Sequence, residues 1–510
     1  MSRVVVAAGS GDPLQVRGGS GGTAVGLESL ESAAAVLAEV AEDVAIVALR
    51  VVGVATDPDL VAGSVLSPAT GVRADIALAG VAGPGGLSGD ATALVALSAA
   101  VVEASGAYRR GEAAATRAIE LAQDTVMFVV GGLAPEIVVG VLALDALGVD
   151  VAGVLDGVAF DEPGIADLAG GAEGLALGLR ANPLTAPFLP APARTEGLTD
   201  DQDYERAVRT LADSAALWGL LSDRGTARVT AEAQKRTGAR VPRSLEDLAV
   251  DQRNVGDGED YAGHVRVIEV PQAQGSAWIV EISGTQVWDP RAGKNPFDVT
   301  TDVRSMAQDA TLLADGVQQA LEQAQAASAS AEGARDGDSG PDQDPGPVLL
   351  VGHSLGGIAA AGLASSPRFT QAQRVTHVVT MGSPVGRMPV PVGTEVLSLE
   401  HTQDAIPRLD GQPNPDRATW VTVSRDLGDG DPDGGGVDRG DVDGGSVDMG
   451  GLDRASQAHD SRLYVDTAAL VDESVDPSVA TWRSTSTAFF AGDDHGEPVV
   501  RDFAIERVEP

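Results

Sequence analysis

Ser354 stands in the pentapeptide "GHSLG" (352 to 356), behind the apolar run "PVLLVG" and ahead of the small-residue run "SLGGIAAAGLASS". A serine hydroxyl is a weak nucleophile at neutral pH, and it becomes useful when a base takes its proton. G-x-S-x-G between a strand and a helix is the local pattern that places such a hydroxyl at the end of a sheet. Gly352 and Gly356 have a steric task in that pattern. The turn strains the serine backbone, and a side chain at either glycine collides with the neighbouring strand or helix. Gly357 and the alanines after it let the helix lie close on the sheet. The competing reading is an ordinary strand-to-helix loop with packing glycines.

The base is sought among six histidines. In this arrangement the chain order is serine, acid, histidine. His264 precedes the serine, and His353 is its direct neighbour, with a side chain directed away from it. His377 opens a strand, and His401 precedes any acid at the next strand end. His459 and His495 remain. The orienting acid belongs just after a strand beyond the nucleophile. "EVLSLEHTQDAIPRL" supplies Asp404 there, with Glu400 inside the strand run as the alternative. A turn cap ahead of Ile406 and Pro407 is the structural role that competes for Asp404. The tetrahedral intermediate also needs N–H donors, and the residue after the nucleophile, Leu355, offers its backbone N–H.

These residues need a scaffold, and the chain has 510 residues to build it, enough for two or three domains. From 264 onwards, "HVRVIEVP" and "AWIVEISGTQVW" read as paired strands across the polar "QAQGS" turn. Strands at 347, near 375 and near 395 then alternate with helices, which predicts an α/β domain with a largely parallel sheet. The front of the chain is different. "AVGLESLESAAAVLAEVAEDVAIVALRVVG" and "DATALVALSAAVVEASGAYRRGEAAATRAIELAQ" carry apolar residues at helical spacing, with alanine between them. The organisation expected is a helical domain over 1–124, then a glycine-rich apolar helical segment with a proline-rich linker over 125–200. The α/β domain follows over 201–510. Residues 328–346 read as a surface loop. Residues 426–454, "DLGDGDPDGGGVDRGDVDGGSVDMGGLDR", read as a solvated insertion with too little apolar content to fold alone. Their aspartates match neither an EF-hand loop nor the calcium-binding nonapeptide repeat.

Composition excludes several classes. A net charge of −39 argues against nucleic acid and against anionic membrane surfaces. With no cysteine, disulfides, thiolate metal sites and a cysteine nucleophile are all out. The lysines are Lys235 and Lys294 and every other basic residue is arginine, a bias typical of GC-rich, actinobacterial genomes. The start "MSRVVVAAGSGDPLQV" lacks a charged n-region before an apolar core, so no conventional signal peptide is expected. "VMFVVGGLAPEIVVGVLAL" (126 to 144) is the best candidate for a membrane span. Glycines, Pro135, Glu136 and the following Asp145 make a buried helical hairpin the better expectation.

"GHSLGG", "VVTMGSPVG", "DAIPRL" and "HDSRLYVD" occur in the order found in class 3 (fungal-type) lipases and their bacterial α/β-hydrolase relatives, and the chain resembles that family over about residues 260–475. The intervals of 50 residues from Ser354 to Asp404 and 55 from Asp404 to His459 are similar to the family's. The resemblance implies an α/β-hydrolase fold and ester hydrolysis through Ser354, Asp404 and His459, with no metal or organic cofactor. It also implies a lipid-like acyl substrate. A second oxyanion donor would be Thr285 in "IVEISGTQ", able to offer N–H and hydroxyl, although Ser283 stands where the family often has arginine. The loop that follows, with Trp288 and Phe297, would serve as a lid or substrate-facing segment, or as core packing. The helical front half resembles, more weakly, the helical-hairpin proteins exported by actinobacterial type VII systems. That likeness implies export or a protein partner for the helices, but a plain helical bundle is the preferred reading, with the location left as cytoplasmic or exported. Two other functions stay open: a hydrolase-fold scaffold without activity, and a thioesterase or amidase using the same three residues.

Overall fold

The computed structural model describes residues 14–189, 200–232, 241–256, 263–336, 346–427, 455–490 and 496–508. His495, the second half of the proline-rich linker and nearly all of the glycine-aspartate insertion lie outside them. The chain divides into two units, Thr23–Ala118 and the remainder.

The helical unit holds helices Thr23–Ala55, Pro58–Leu66 and Pro68–Ala82 and the front of a long helix, Leu87–Gly132. Asp57 caps the second of these by accepting from Asp59 N, with Pro58 at the first helical position. On the first helix Ala34, Ala41 and Ala48 are buried, a seven-residue spacing that puts small side chains along one seam. Ser98 Oγ, on the long helix, donates to Ala34 O at 2.8 Å across that seam, and Arg109 pairs with Glu31 at 2.9 Å. Alanine lets two helices approach closely but buries little area. Larger apolar side chains such as Leu49, Val65, Leu66 and Ile76 stay exposed. By length and composition alone, the stretch Pro68–Gly132 is apolar enough to cross a membrane.

The second unit is built on one nine-stranded sheet. Its strands are β1 (Leu14–Gly18), β2 (Thr226–Ala231), β3 (His264–Pro271), β4 (Ser276–Ile282), β5 (Pro347–His353), β6 (Arg374–Met381), β7 (Glu395–His401), β8 (Trp420–Arg425) and β9 (Val499–Val508). Their order is β1-β8-β7-β6-β5-β4-β3-β9-β2. The centre, β4 to β8, is parallel, whereas β1, β3, β9 and β2 join antiparallel. The expectation of a largely parallel sheet therefore holds for the centre and not for the flanks. β3 and β4 pair as their short polar turn demands. β1 lies in the stretch that read as helical, because five residues beside a glycine cluster carry no period long enough to mark a strand.

Successive residues of the central strands point to opposite faces, and both faces are covered. Val280, Leu350 and Val378 pack with helices Leu312–Asp336 and Leu355–Ser365. Ile279, Leu349 and Val379 pack on the other face with Leu248, Tyr464 and Trp482. This explains the unbroken apolar runs, since a strand buried on both sides has no polar alternation to show. The helix to Asp336 also absorbs the first part, "SASAEGARD", of the stretch expected as a surface loop. The apolar segment near 126–144 is the end of one helix and a second helix, Ala134–Ala146. Val126, Phe128, Val129 and Val138 are exposed there, so it is not the buried hairpin expected.

Candidate active site

Ser354 follows β5 directly and has φ 55° and ψ −124°, a region that a non-glycine residue occupies at a cost of about 1–3 kcal/mol. Its backbone is held from three sides. Ser354 N donates to Met381 O at 2.9 Å, and Ser354 O accepts from Ser383 Oγ at 2.9 Å and from Gly357 N at 3.0 Å. The glycines around it leave no room for a side chain. A Cβ on Gly352 would lie 2.0 Å from Gly356 C, and one on Gly356 would lie 2.1 Å from Ile282 O. The strain is thus imposed by close backbone packing. Leu355 opens the following helix, where the N–H has no partner one turn back.

His459 and Asp404 come together from separate elements. His459 follows the short helix Ala455–Ala458, and Asp404 follows β7. Their Nδ1 and Oδ2 atoms are 2.6 Å apart. Tyr464 Oη donates to the same carboxylate oxygen at 2.7 Å, and Ile406 N donates to Asp404 Oδ1 at 2.9 Å. The turn-cap role and the pairing with His459 therefore coexist, one on each oxygen. Burial alone would raise the Asp404 pKa. The His459 ring and these donors outweigh it and hold the carboxyl below its usual range. Gly382, with φ 60°, explains the "GSP" motif: a Cβ there would lie 3.0 Å from His459 Nδ1 and 2.9 Å from Tyr464 Oη.

Among the described residues no hydrogen bond joins Ser354 Oγ to His459. Pairs of this kind are often long in an unliganded protein and tighten on substrate. The two residues share a neighbourhood, since the ring of His353, adjacent to Ser354, lies 4.5 Å from that of His459, centroid to centroid. Gly284 is equally close, because a Cβ on it would be 3.2 Å from Ser354 Cβ. The pair Gly284-Thr285 therefore borders the serine. The Thr285 hydroxyl, however, donates to Asp302 Oδ2 at 2.9 Å and is engaged there, which leaves the N–H.

Asp302 was not evident from sequence. It lies on helix Val299–Met306, which Asp298 caps by accepting from Thr301 N at 2.9 Å. Val299 N bonds to Val287 O and both Gln286 N and Val287 N bond to Phe297 O, which fold the helix back beside Thr285. Burial pushes the Asp302 carboxyl up to about 7. The charge of Asp298 adds to this, and the Thr285 hydroxyl and His459 oppose it. A carboxyl raised in the folded state binds its proton more tightly than in the unfolded chain, so it favours folding at low pH, and that advantage is lost as pH rises towards 7. Asp302→Asn is expected to gain stability on the wild type between pH 4 and pH 7, as read by urea denaturation at pH 5 and pH 8. Equal differences at both values would contradict the assignment.

The remaining sequence candidates fall elsewhere. Glu400 accepts from Asn414 Nδ2 and not from His459; burial and Asp410 push it up to about 7. His377 lies by Thr376 and Thr485, and His264 lies 3.6 Å from Glu232. Phe297 is fully buried in the core, whereas Trp288 is exposed.

A mixed sheet with a parallel centre, covered on both faces, with a serine on a strained turn between a central strand and its helix, is consistent with an α/β-hydrolase-like fold. A family model described as a PGAP1-like alpha/beta domain, a serine-hydrolase-type fold, matches residues 297–427. That stretch holds Asp302, Ser354 and Asp404 and ends before His459. No curated protein and no solved structure matches the chain. The match points to a hydrolase.

Tyr464 gives a test of the carboxylate's surroundings. Asp404 has a depressed pKa, so its contribution is present at neutral pH and lost as pH falls through the folded value. Tyr464→Phe is expected to cost about 1–3 kcal/mol at pH 7, the usual range for unsatisfying a buried charged acceptor. The difference from wild type should shrink at pH 3, where a neutral carboxyl needs the phenol less. Urea denaturation at the two pH values measures both, and a cost independent of pH would count against the phenol–carboxylate bond.

Proposed function

We propose that this chain is a serine hydrolase that cleaves carboxylic esters. The observation that carries the reading is a single one: a buried Asp404 carboxylate lies 2.6 Å from the ring of a half-buried His459, close to a serine held at φ 55°. In this reading His459 takes the proton of Ser354 Oγ, and Asp404 keeps the imidazole in the tautomer with its free nitrogen towards the serine. The oxygen attacks the ester carbonyl carbon. The oxyanion is met by the N–H groups of Leu355 and Thr285. His459 returns the proton to the leaving alcohol, and water then enters by the same base to release the acid. Small-molecule or lipid-like esters are the substrate class that the likeness to class 3 lipases suggests.

The test is fluorophosphonate labelling of the folded protein, followed by p-nitrophenyl esters of increasing chain length beside thioesters and amides. Labelling with faster ester turnover is the result expected. A folded protein that never labels favours an inactive scaffold, and faster thioester or amide cleavage overturns the ester assignment. The helical unit is proposed as a partner-binding module, and pull-down with residues 23–118 deleted, which should lose any partner, tests it.

A further inference from the structure

His459 is presented by an unusual support. The helix before it, Ala455–Ala458, is one turn long, too short to hold itself in water. What holds its end is a pair of histidines from two different strands. His353 Nε2 lies 3.0 Å from His459 O, and His401 Nδ1 lies 2.7 Å from Ala458 O. A carbonyl only accepts, so each of those ring nitrogens must carry the hydrogen. The two histidines are therefore opposite tautomers, Nε2–H for His353 and Nδ1–H for His401. The second ring nitrogen of a neutral His401 is left to accept from the Thr467 hydroxyl at 2.8 Å, in competition with Leu463 O at 2.9 Å from the same hydroxyl.

We propose that His353 and His401 are positioning residues, which grip two successive carbonyls, His459 O and Ala458 O, and so aim the His459 ring at Asp404 and Ser354. The inference rests on the reading of His459 as the base. Its geometry is independent of any substrate. Tyr464 completes the support, with its ring stacked on that of His401 at 3.9 Å and its hydroxyl on Asp404. The chemistry favours uncharged rings here. When His459 becomes cationic during turnover, a second cation with its ring centre 4.5 Å away would oppose it. Burial, with the His459 charge adding to it, pushes His353 down to about 3. Burial pushes His401 down to about 4. Both rings thus remain neutral donors throughout the range in which a histidine base works.

Two measurements decide it. Long-range proton–nitrogen correlation on protein labelled with ¹⁵N at histidine, assigned by single substitutions, reads tautomer and charge directly. The expected spectrum at pH 7 and at pH 5 shows His353 as neutral Nε2–H and His401 as neutral Nδ1–H. The opposite tautomer at either ring, or titration near the ordinary histidine value, overturns the proposal. The second measurement is the rate of fluorophosphonate labelling at Ser354. Glutamine places an N–H donor where His353 Nε2 is, and asparagine places one where His401 Nδ1 is. His353→Leu and His401→Leu are expected to slow labelling by about tenfold or more, whereas His353→Gln and His401→Asn stay within about threefold of wild type. Equal loss in the leucine and amide variants, with folding intact by circular dichroism, counts against the proposal. If the wild type never labels, the hydrolase reading fails, and the histidine spectrum alone still decides whether the two rings hold those carbonyls.

Discussion

Ser354→Ala is expected to abolish fluorophosphonate labelling and to lower ester turnover by at least about 10⁴-fold, because the hydroxyl oxygen is the atom that forms the acyl bond. The same substitution should leave stability within about 0.5 kcal/mol of wild type. Ser354 Oγ makes no hydrogen bond among the described residues, so its loss leaves no partner unsatisfied. The backbone bonds of Ser354 to Met381, Ser383 and Gly357 do not involve the side chain and persist. Alanine inherits the strained φ of 55° without adding to it. A loss of activity at unchanged stability is the signature of a nucleophile. Mass spectrometry of the labelled protein makes the measurement, and a Ser354→Ala variant that still takes up the probe would falsify the assignment.

The second large effect is on folding. Gly352→Ala is expected to lose more than about 3 kcal/mol or to prevent folding, above the usual overpacking range because the nearest obstacles are backbone atoms, which cannot turn aside. Its Cβ would lie 2.0 Å from Gly356 C and 2.4 Å from Gly357 N, the first turn of the helix that carries Leu355. A side chain can turn aside, but this turn is itself locked against β4. Gly356→Ala should behave alike, with its Cβ 2.1 Å from Ile282 O. Gly362 is the control, since it lies in the same helix with nothing within 4 Å of the space its Cβ would fill. Gly362→Ala should stabilise by about 0.5–1 kcal/mol, the ordinary gain of alanine over glycine in a helix. Urea denaturation of the three variants measures the contrast, and similar values for Gly352→Ala and Gly362→Ala would show that the turn tolerates a wider opening than these distances allow.

The elbow was legible in the sequence because its parts are adjacent. A buried strand, two glycines around a serine, and a helix of alanine and glycine all act on one another within about a dozen residues, and their constraint is local backbone sterics. The apolar runs of β3 to β7 were legible for the same reason. β8 and the outer antiparallel strands β1, β2 and β9 were not. β1 joins β8 across some 400 residues of chain, and five residues carry no mark of a partner that distant.

Chain order and strand ends narrowed the acid to Asp404 with Glu400 behind it and the base to His459 or His495, and the likeness to class 3 lipases chose His459. The meeting of Asp404 and His459 at 2.6 Å across 55 residues is a product of packing. So are the carboxyl of Asp302 beside Thr285 and the two histidine rings on the carbonyls of Ala458 and His459. These contacts depend on which faces of separate elements come to touch, and no spacing along the chain encodes that. What the sequence by itself determined is the kind of turn and the residue types at strand ends, where neighbours in the chain are neighbours in space. Only the tertiary structure decided which buried carboxyl and which imidazole share a hydrogen bond, because burial and distance are properties of the packed interior.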